Sequence, residues 1–326
     1  MKIDRTRTLL ILSLCCLLIG PALADSKGKI NFPDIPGYKT LKCDLHMHTV
    51  FSDGRVWPTV RVDEAFRLGL DAISITDHIE YQPHKGDIPT KHNRPYEIAA
   101  QSAKEKNILL VRGTEITRST PPGHFNAIFL DDVDPVDTED LLEATKAAKA
   151  QGAFIFWNHP DWKPDKKGWF DIHTKLYDAG CMNGIEVCNG GGYHLNGHKW
   201  AIEKNLTMMG NSDIHAPDIS TERTAEEHRT ITLVFARQKT IDSVRDALVN
   251  RRTVVWFKNQ LIGRREYLEQ LLEQSVSIAP PHLRRGDYIW LEITNNCELD
   301  LAVQKTGGQG PGSLVLPANS GTIVRI

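Results

Sequence analysis

Residues 41–48 read Leu41-Lys42-Cys43-Asp44-Leu45-His46-Met47-His48, a short strand-like run that stops on two histidines one residue apart. The same arrangement recurs down the chain. Residues 71–76 (DAISIT) run into Asp77-His78, and 108–112 (ILLVR) into Gly113-Thr114-Glu115, with His124 shortly after. Residues 153–157 (AFIFW) reach Asn158-His159-Pro160, and 206–209 reach Asn211-Ser212-Asp213-Ile214-His215. Further strand-like runs lie at 125–130, 184–188, 230–235 and 253–257. Helical spacing of apolar residues occupies 59–69, 95–106, 138–150 and 240–249. Strands alternating with helices predict an α/β fold with a parallel sheet, either doubly wound or closed into a barrel. In both architectures the carboxyl ends of the strands converge on one face, where active sites form.

Five separate strand ends thus carry His, Asp or Glu to one rim. A lone His-x-His is weak evidence, because two exposed histidines at a strand end occur by chance. Five coincident strand ends are a different matter. Neutral imidazole together with carboxylate suits manganese, zinc or iron, so metal binding is expected here. No cysteine sits in a Cys-x-x-Cys pair, so thiolate ligation of zinc has no support.

This constellation resembles the PHP (polymerase and histidinol phosphatase) family over roughly residues 40–257. The matching residues are Asp44-Leu45-His46-Met47-His48-Thr49, Phe51-Ser52-Asp53-Gly54, Ile75-Thr76-Asp77-His78, Gly113-Thr114-Glu115, Asn158-His159-Pro160 and Ser212-Asp213-Ile214-His215. The resemblance implies a distorted (β/α)7 barrel with a two- or three-metal site at the strand ends. It implies one metal on His46, His48, Glu115 and Asp213. A second would share Glu115 as a bridge and add His124 and His159, and a third would take Asp53, His78 and His215. The loop Ser119-Thr120-Pro121-Pro122-Gly123 leaves the register of His124 open.

The implied activity is phosphoester hydrolysis by a hydroxide bridging the first two metals and held by Glu115. Asp77 is expected to orient a ligand imidazole as a hydrogen-bond acceptor, and Glu186 either does likewise or is a rim carboxylate. The layout is similar to an exported branch of the family that acts on organophosphate diesters, so a phosphodiesterase is expected. The alternative is a histidinol-phosphatase-like phosphomonoesterase, which would need cations beside the metals. Arg118, Arg223, His228 and Arg229 are candidates, with Tyr193 and His194 of the loop Gly190-Gly191-Gly192-Tyr193-His194. An exported metal-binding protein without turnover is the third reading. Serine catalysis has no Gly-x-Ser-x-Gly elbow to support it.

The chain has 326 residues, 40% hydrophobic and 25% charged, the balance of a globular protein rather than a disordered one. Residues 1–24 have a basic start, an apolar run from Leu9 to Ile19 and Ala22-Leu23-Ala24 before Asp25, the layout of a cleaved signal peptide. A periplasmic or secreted location follows, with no membrane attachment after cleavage. The whole chain has net charge −2, and removing the leader leaves −4, which argues against a stable nucleic-acid complex. The expected partner is a small-molecule phosphoester. Oligomeric state is not legible.

Residues 25–39 form an N-terminal segment and 40–257 the hydrolase domain. Residues 258–326 begin with an amphipathic helix at 263–275, break at Pro280-Pro281 and continue as a small β-rich appendage. Cys181 and Cys188 suit either a disulfide or buried thiols, and a chain this long needs no disulfide to bury a core.

Overall fold

A computed structural model describes residues 28–89, 91–219 and 227–326. The expected leader and Arg223 lie outside the described residues. No helix among the described residues is long and apolar enough to cross a membrane.

The hydrolase region is built on eleven strands: β1 (Lys39–Asp44), β2 (Ala72–Ile75), β3 (Leu109–Ile116), β4 (Phe125–Ile128), β5 (Phe154–Trp157), β6 (Gly184–Asn189), β7 (Gly192–Tyr193), β8 (Thr207–Asn211), β9 (Ile231–Ala236), β10 (Thr253–Phe257) and β11 (Gln260–Gly263). Their order is β11-β10-β9-β1-β2-β3-β4-β5-β6-β7, with β8 also paired to β6. The sheet curls into a half-barrel, so of the two architectures the strand–helix alternation leaves open, the barrel implied by the resemblance is the one adopted. Its strands are not uniformly parallel, however. β1–β2–β3 and β5–β6–β8 run parallel, whereas β4 is antiparallel to both β3 and β5, and β9 is antiparallel to β1 and β10. The reason is the connection: residues 117–124 join β3 to β4 without a crossover helix, and a short link can only reverse the chain.

β8 is held to β9 and β10 by threonine hydroxyls. Thr232 Oγ1 accepts from Gly210 N at 2.9 Å and donates to Gly210 O at 2.8 Å, while Thr253 Oγ1 donates to Met208 O at 2.8 Å. Gly210 permits this approach, since a Cβ there would overlap Val255 Cγ1. A cluster comprising Leu41, Cys43, Leu45, Phe154, Phe156, Met209 and Val234 packs between these strands.

Seven helices occur among the described residues: α1 (Pro58–Leu68), α2 (Arg94–Glu105), α3 (Leu141–Ala150), α4 (Asp171–Asp178), α5 (Leu195–Glu203), α6 (Ile241–Val249) and α7 (Arg265–Ser275). α1 starts on Pro58 and stops at Gly69, whose φ of 84° is the left-handed cap that glycine supplies without strain. Helices α4 and α5 are not anticipated by the sequence pattern. α4 has only eight residues, and His173 fastens its first turn by accepting from Phe170 N at 3.0 Å. α5 carries Gly197, a poor helix former, at a site where a Cβ would lie 2.8 Å from both Glu186 O and Pro160 Cγ. Close packing over the site, not propensity, places that helix.

Beyond α7, β12 (Val276–Ile278), β13 (Leu283–Arg285), β14 (Tyr288–Asn295) and β17 (Ser320–Arg325) form a four-stranded antiparallel sheet, and β15 (Leu301–Gln304) pairs with β16 (Ser313–Leu316). Leu271, Cys297 and Leu299 share an apolar cluster with Phe32 and Trp256, so this appendage is joined to the barrel through core packing. Cys43, Cys181, Cys188 and Cys297 are buried free thiols, and no Cys181–Cys188 bridge forms.

Candidate metal centre

The strand ends deliver the expected donors to one place. His46 Nε2 and His48 Nε2 lie 3.2 Å apart, and Asp213 Oδ1 is 3.1 and 3.0 Å from them. Glu115 Oε2 is 3.4 Å from the first and 3.3 Å from the second. Metal–ligand bonds of 2.0–2.1 Å in a tetrahedron space the donors about 3.3 Å apart. His46, His48 and Asp213 therefore already stand at the separation a cation would impose, with Glu115 Oε2 at a similar distance from both histidines.

Glu115 divides its two oxygens. While Oε2 faces His46 and His48, Oε1 meets His124 Nδ1 at 3.0 Å and His159 Nε2 at 3.6 Å. Asn158 Nδ2 donates to Oε1 at 2.8 Å and so fixes the carboxylate plane. His124 is thus brought to Glu115, but the cluster they form takes in His78 and leaves out His159, which was expected to join them. Asp53 Oδ1 gathers the third donor group, with His215 Nε2 at 3.1 Å, His78 Nε2 at 3.5 Å and His48 Nδ1 at 3.8 Å. His78 also reaches back through Nδ1 to Glu115 Oε2 at 2.9 Å. Three groups with ligating geometry result: His46/His48/Asp213, His78/Glu115/His124 and His48/Asp53/His78/His215.

The donor set fits metal ions. Glu115 Oε2 is buried and accepts no hydrogen bond, although three imidazole nitrogens surround it. A buried carboxylate oxygen left in that condition is costly unless a cation takes it. The electrostatics agree. Burial opposes ionisation of Glu115, yet His78 and His46, with bonds from His124 and His159, hold its carboxyl well below the ordinary range. Asp213 is likewise held low against burial by His46 and His48, and Asp53 by His215 and His78. In return, and against burial, Glu115 and Asp53 push His78 up to about 10. His46 is raised against burial by Asp213, Glu186 and Glu115. His48 moves the other way, lowered first by burial and further by His78. Without metal, protons on imidazoles balance the carboxylates, and a divalent cation substitutes for those protons.

A supporting shell orients the donors. His46 Nδ1 donates to Glu186 Oε1 at 2.9 Å, leaving Nε2 free to ligate. Glu186 is saturated: Oε1 also accepts from Asn211 Nδ2 at 3.0 Å, and Oε2 from His159 N at 2.9 Å and Asn189 Nδ2 at 2.8 Å. Of its two expected readings, the acceptor for a ligand imidazole is the one realised. Asp77 does not do this directly. Its oxygens accept from Thr49 N at 2.6 Å, Thr49 Oγ1 at 2.5 Å and Ser52 Oγ at 2.6 Å. Of its carboxylate's partners, Ser52 Oγ, 3.3 Å from His48 Nδ1, links it to a ligand imidazole. His159 and Asp213 adopt φ of 31° and 51°, strained values for side-chain-bearing residues, of the kind that cluster at functional sites.

Two residues with no motif to announce them complete the site. Arg61 of α1, fully buried, donates Nε to His48 O at 2.9 Å and its two other nitrogens to the carbonyls of Ile214, His215 and Ala216 at 2.8–3.0 Å. His173 of α4 donates Nε2 to Pro122 O at 2.7 Å and stacks on Trp157 with ring centroids 3.9 Å apart, holding the loop that precedes His124. The described basic residues considered as phosphate contacts are engaged elsewhere. Arg118 pairs with Glu80, Arg229 with Asp44, Glu64 and Asp218, and His228 stacks on Trp256 at 3.5 Å. Tyr193 bonds His198 Nδ1 at 2.7 Å. His194 is buried with neither ring nitrogen hydrogen-bonded.

An α/β barrel with clustered imidazoles and carboxylates at its strand ends defines a metal-dependent hydrolase. Comparison with known proteins narrows the class. A solved structure from Bacteroides vulgatus, a two-domain protein containing a predicted PHP-like metal-dependent phosphoesterase, is 48% identical over 92% of this chain and 89% of its own, with a TM-score of 0.85. The chain belongs to this family of PHP-like metal-dependent phosphoesterases. No family model matches it. Among curated proteins, an uncharacterised protein of Methanocaldococcus jannaschii is 35% identical over 83 residues, and an error-prone DNA polymerase of Nocardia farcinica is 33% identical over 99. These matches take in 25% and 30% of this chain but only 36% and 7% of those proteins.

Proposed function

We propose that the protein is a phosphodiesterase that hydrolyses a small-molecule phosphate diester at a centre of three divalent ions. The observation that carries the reading is the division of Glu115, one oxygen toward His46 and His48 and the other toward His124 and His159. Bound there, divalent ions would supply a hydroxide nucleophile near neutral pH and offset negative charge on the phosphoryl oxygens and the leaving group. The protein's own groups do the rest. Asn158 holds the shared carboxylate, Glu186 keeps the His46 proton on Nδ1, and Asp77 acts on His48 through Ser52. A diester carries one negative charge where a monoester carries two. The commitment of Arg118 and Arg229 to carboxylates of the fold therefore supports the diester.

The test compares an aryl phosphate diester with its monoester at equal leaving group, on purified protein of measured metal content. A diester preference in kcat/KM of about tenfold, ~1.4 kcal/mol of transition-state discrimination, is expected. A monoester preference would replace this reading with a phosphomonoesterase. Absence of turnover on both, with metals bound, would favour a binding protein. The reading includes export through residues 1–24, tested by whether the mature chain recovered from its native host begins at Asp25.

A further inference from the structure

Two large aromatic side chains at the metal centre remain open to solvent. Trp162 is 56% exposed and Tyr81 52%. Scattered exposed apolar residues are ordinary, but aromatic rings gathered on functional groups are informative. The Trp162 ring centroid lies 5.5 Å from that of His159 and 5.8 Å from that of His124. Tyr81 stands 6.0 Å from His78, and His78 and His124 are themselves 5.7 Å apart. The rings thus end a contact series that runs Tyr81–His78–His124–Trp162 over the second and third donor groups.

Trp162 sits on a pinned turn, and Tyr81 follows a residue that is itself held in place. Trp162 N donates to His159 O at 2.9 Å, and the adjacent Asp161 accepts from Asn196 N at 3.0 Å and Nδ2 at 2.8 Å. Beside Tyr81, Glu80 accepts from Thr117 N at 2.8 Å and pairs with Arg118. Rigid presentation lowers the ordering cost of a stacking contact. Lys163 Nζ lies over the Trp162 ring, 4.8 Å from its centroid.

The geometry points to a binding subsite, formed by Trp162 and Tyr81, for a planar aromatic substituent of the phosphoester. The inference rests on the phosphoester reading and adds a substrate class to it. Face contacts with aromatic rings tolerate many π systems, so the subsite selects flatness and aromaticity rather than one hydrogen-bond pattern.

Phosphonates test it without turnover, because their C–P bond resists hydrolysis. Calorimetry on metal-loaded full-length protein would compare benzylphosphonate, cyclohexylmethylphosphonate and methylphosphonate, which share one head group. Benzylphosphonate is expected to bind about tenfold more tightly than the other two. Trp162→Ala and Tyr81→Ala should each reduce that preference, and together abolish it, with metal content and methylphosphonate binding retained. Trp162→Phe should keep most of it. An unchanged preference in the double variant, or equal binding of all three ligands by the wild type, would overturn the subsite and leave the phosphoester reading standing. Failure of metal-loaded protein to bind any of them would overturn the subsite, while the phosphoester reading is judged separately by turnover of the aryl diester and monoester.

Discussion

Arg61 Nη2 donates to the carbonyl oxygen of His215 at 2.8 Å, joining residues 154 apart in the sequence. The same guanidinium reaches His48 O, Ile214 O and Ala216 O and is paired through Nη1 with Glu64 at 2.8 Å. One buried side chain therefore clamps the His46-x-His48 segment to the Asp213-x-His215 segment. A lysine offers a single point charge and cannot span four carbonyls.

Arg61→Lys should therefore lose metal and stability together. Breaking a buried, hydrogen-bonded charge costs about 3–5 kcal/mol, which for a chain of this size lowers Tm by on the order of 10 °C. Thermal unfolding and metal analysis check this. Wild-type values for both in Arg61→Lys would show that the clamp is dispensable.

Glu186→Gln should weaken metal binding by about 10–100-fold with little change in fold. All four groups bonded to Glu186 are donors, two on each oxygen, so an amide NH2 in place of either oxygen must confront two of them. Chelator competition gives the affinity, and circular dichroism reports the fold. Unaltered affinity would mean that His46 needs no acceptor to orient it.

Metal binding should release protons at pH 7 and weaken as the pH falls. His78, at about 10, and His46, raised well above its usual range, are protonated in the metal-free protein at pH 7, and a ligating nitrogen must be free of its proton. Protons and metal compete, so lowering the pH favours the metal-free state. Metal titration in buffers of different ionisation enthalpy measures the protons released. Enthalpies independent of buffer would contradict this account of the site's charge.

His173 predicts a separate acid sensitivity of the fold. Burial lowers its pKa from 6.5 to about 4, with the Pro122 carbonyl acting in the opposite direction. Between these values the unfolded chain binds the proton and the folded chain does not. The stability from neutral His173 is thus complete above pH 6.5 and is lost as the pH falls toward 4, by about 3 kcal/mol. Denaturant unfolding of the wild type and His173→Phe should show their stability difference shifting by that amount toward the variant between pH 7 and 4. A difference constant with pH would assign the His173 contribution to packing alone.

The sequence by itself determined the strands that end on histidines and carboxylates, because hydrophobic periodicity and the residues that follow a strand are local properties of the chain. His46, His48, Glu115, Asp213 and their fellows were legible for that reason. The tertiary structure alone decided which partner orients each of them. His46 finds Glu186 across 140 residues, and Arg61 finds its carbonyls across comparable distances. The carboxylate of Asp77, adjacent to a ligand in sequence, reaches His48 only through Ser52. The reversal of β4 and the helical state of Leu195–Glu203 were decided in the same way. A hydrogen bond or close packing contact depends on which segments the closed sheet brings within reach, and no local pattern encodes that proximity.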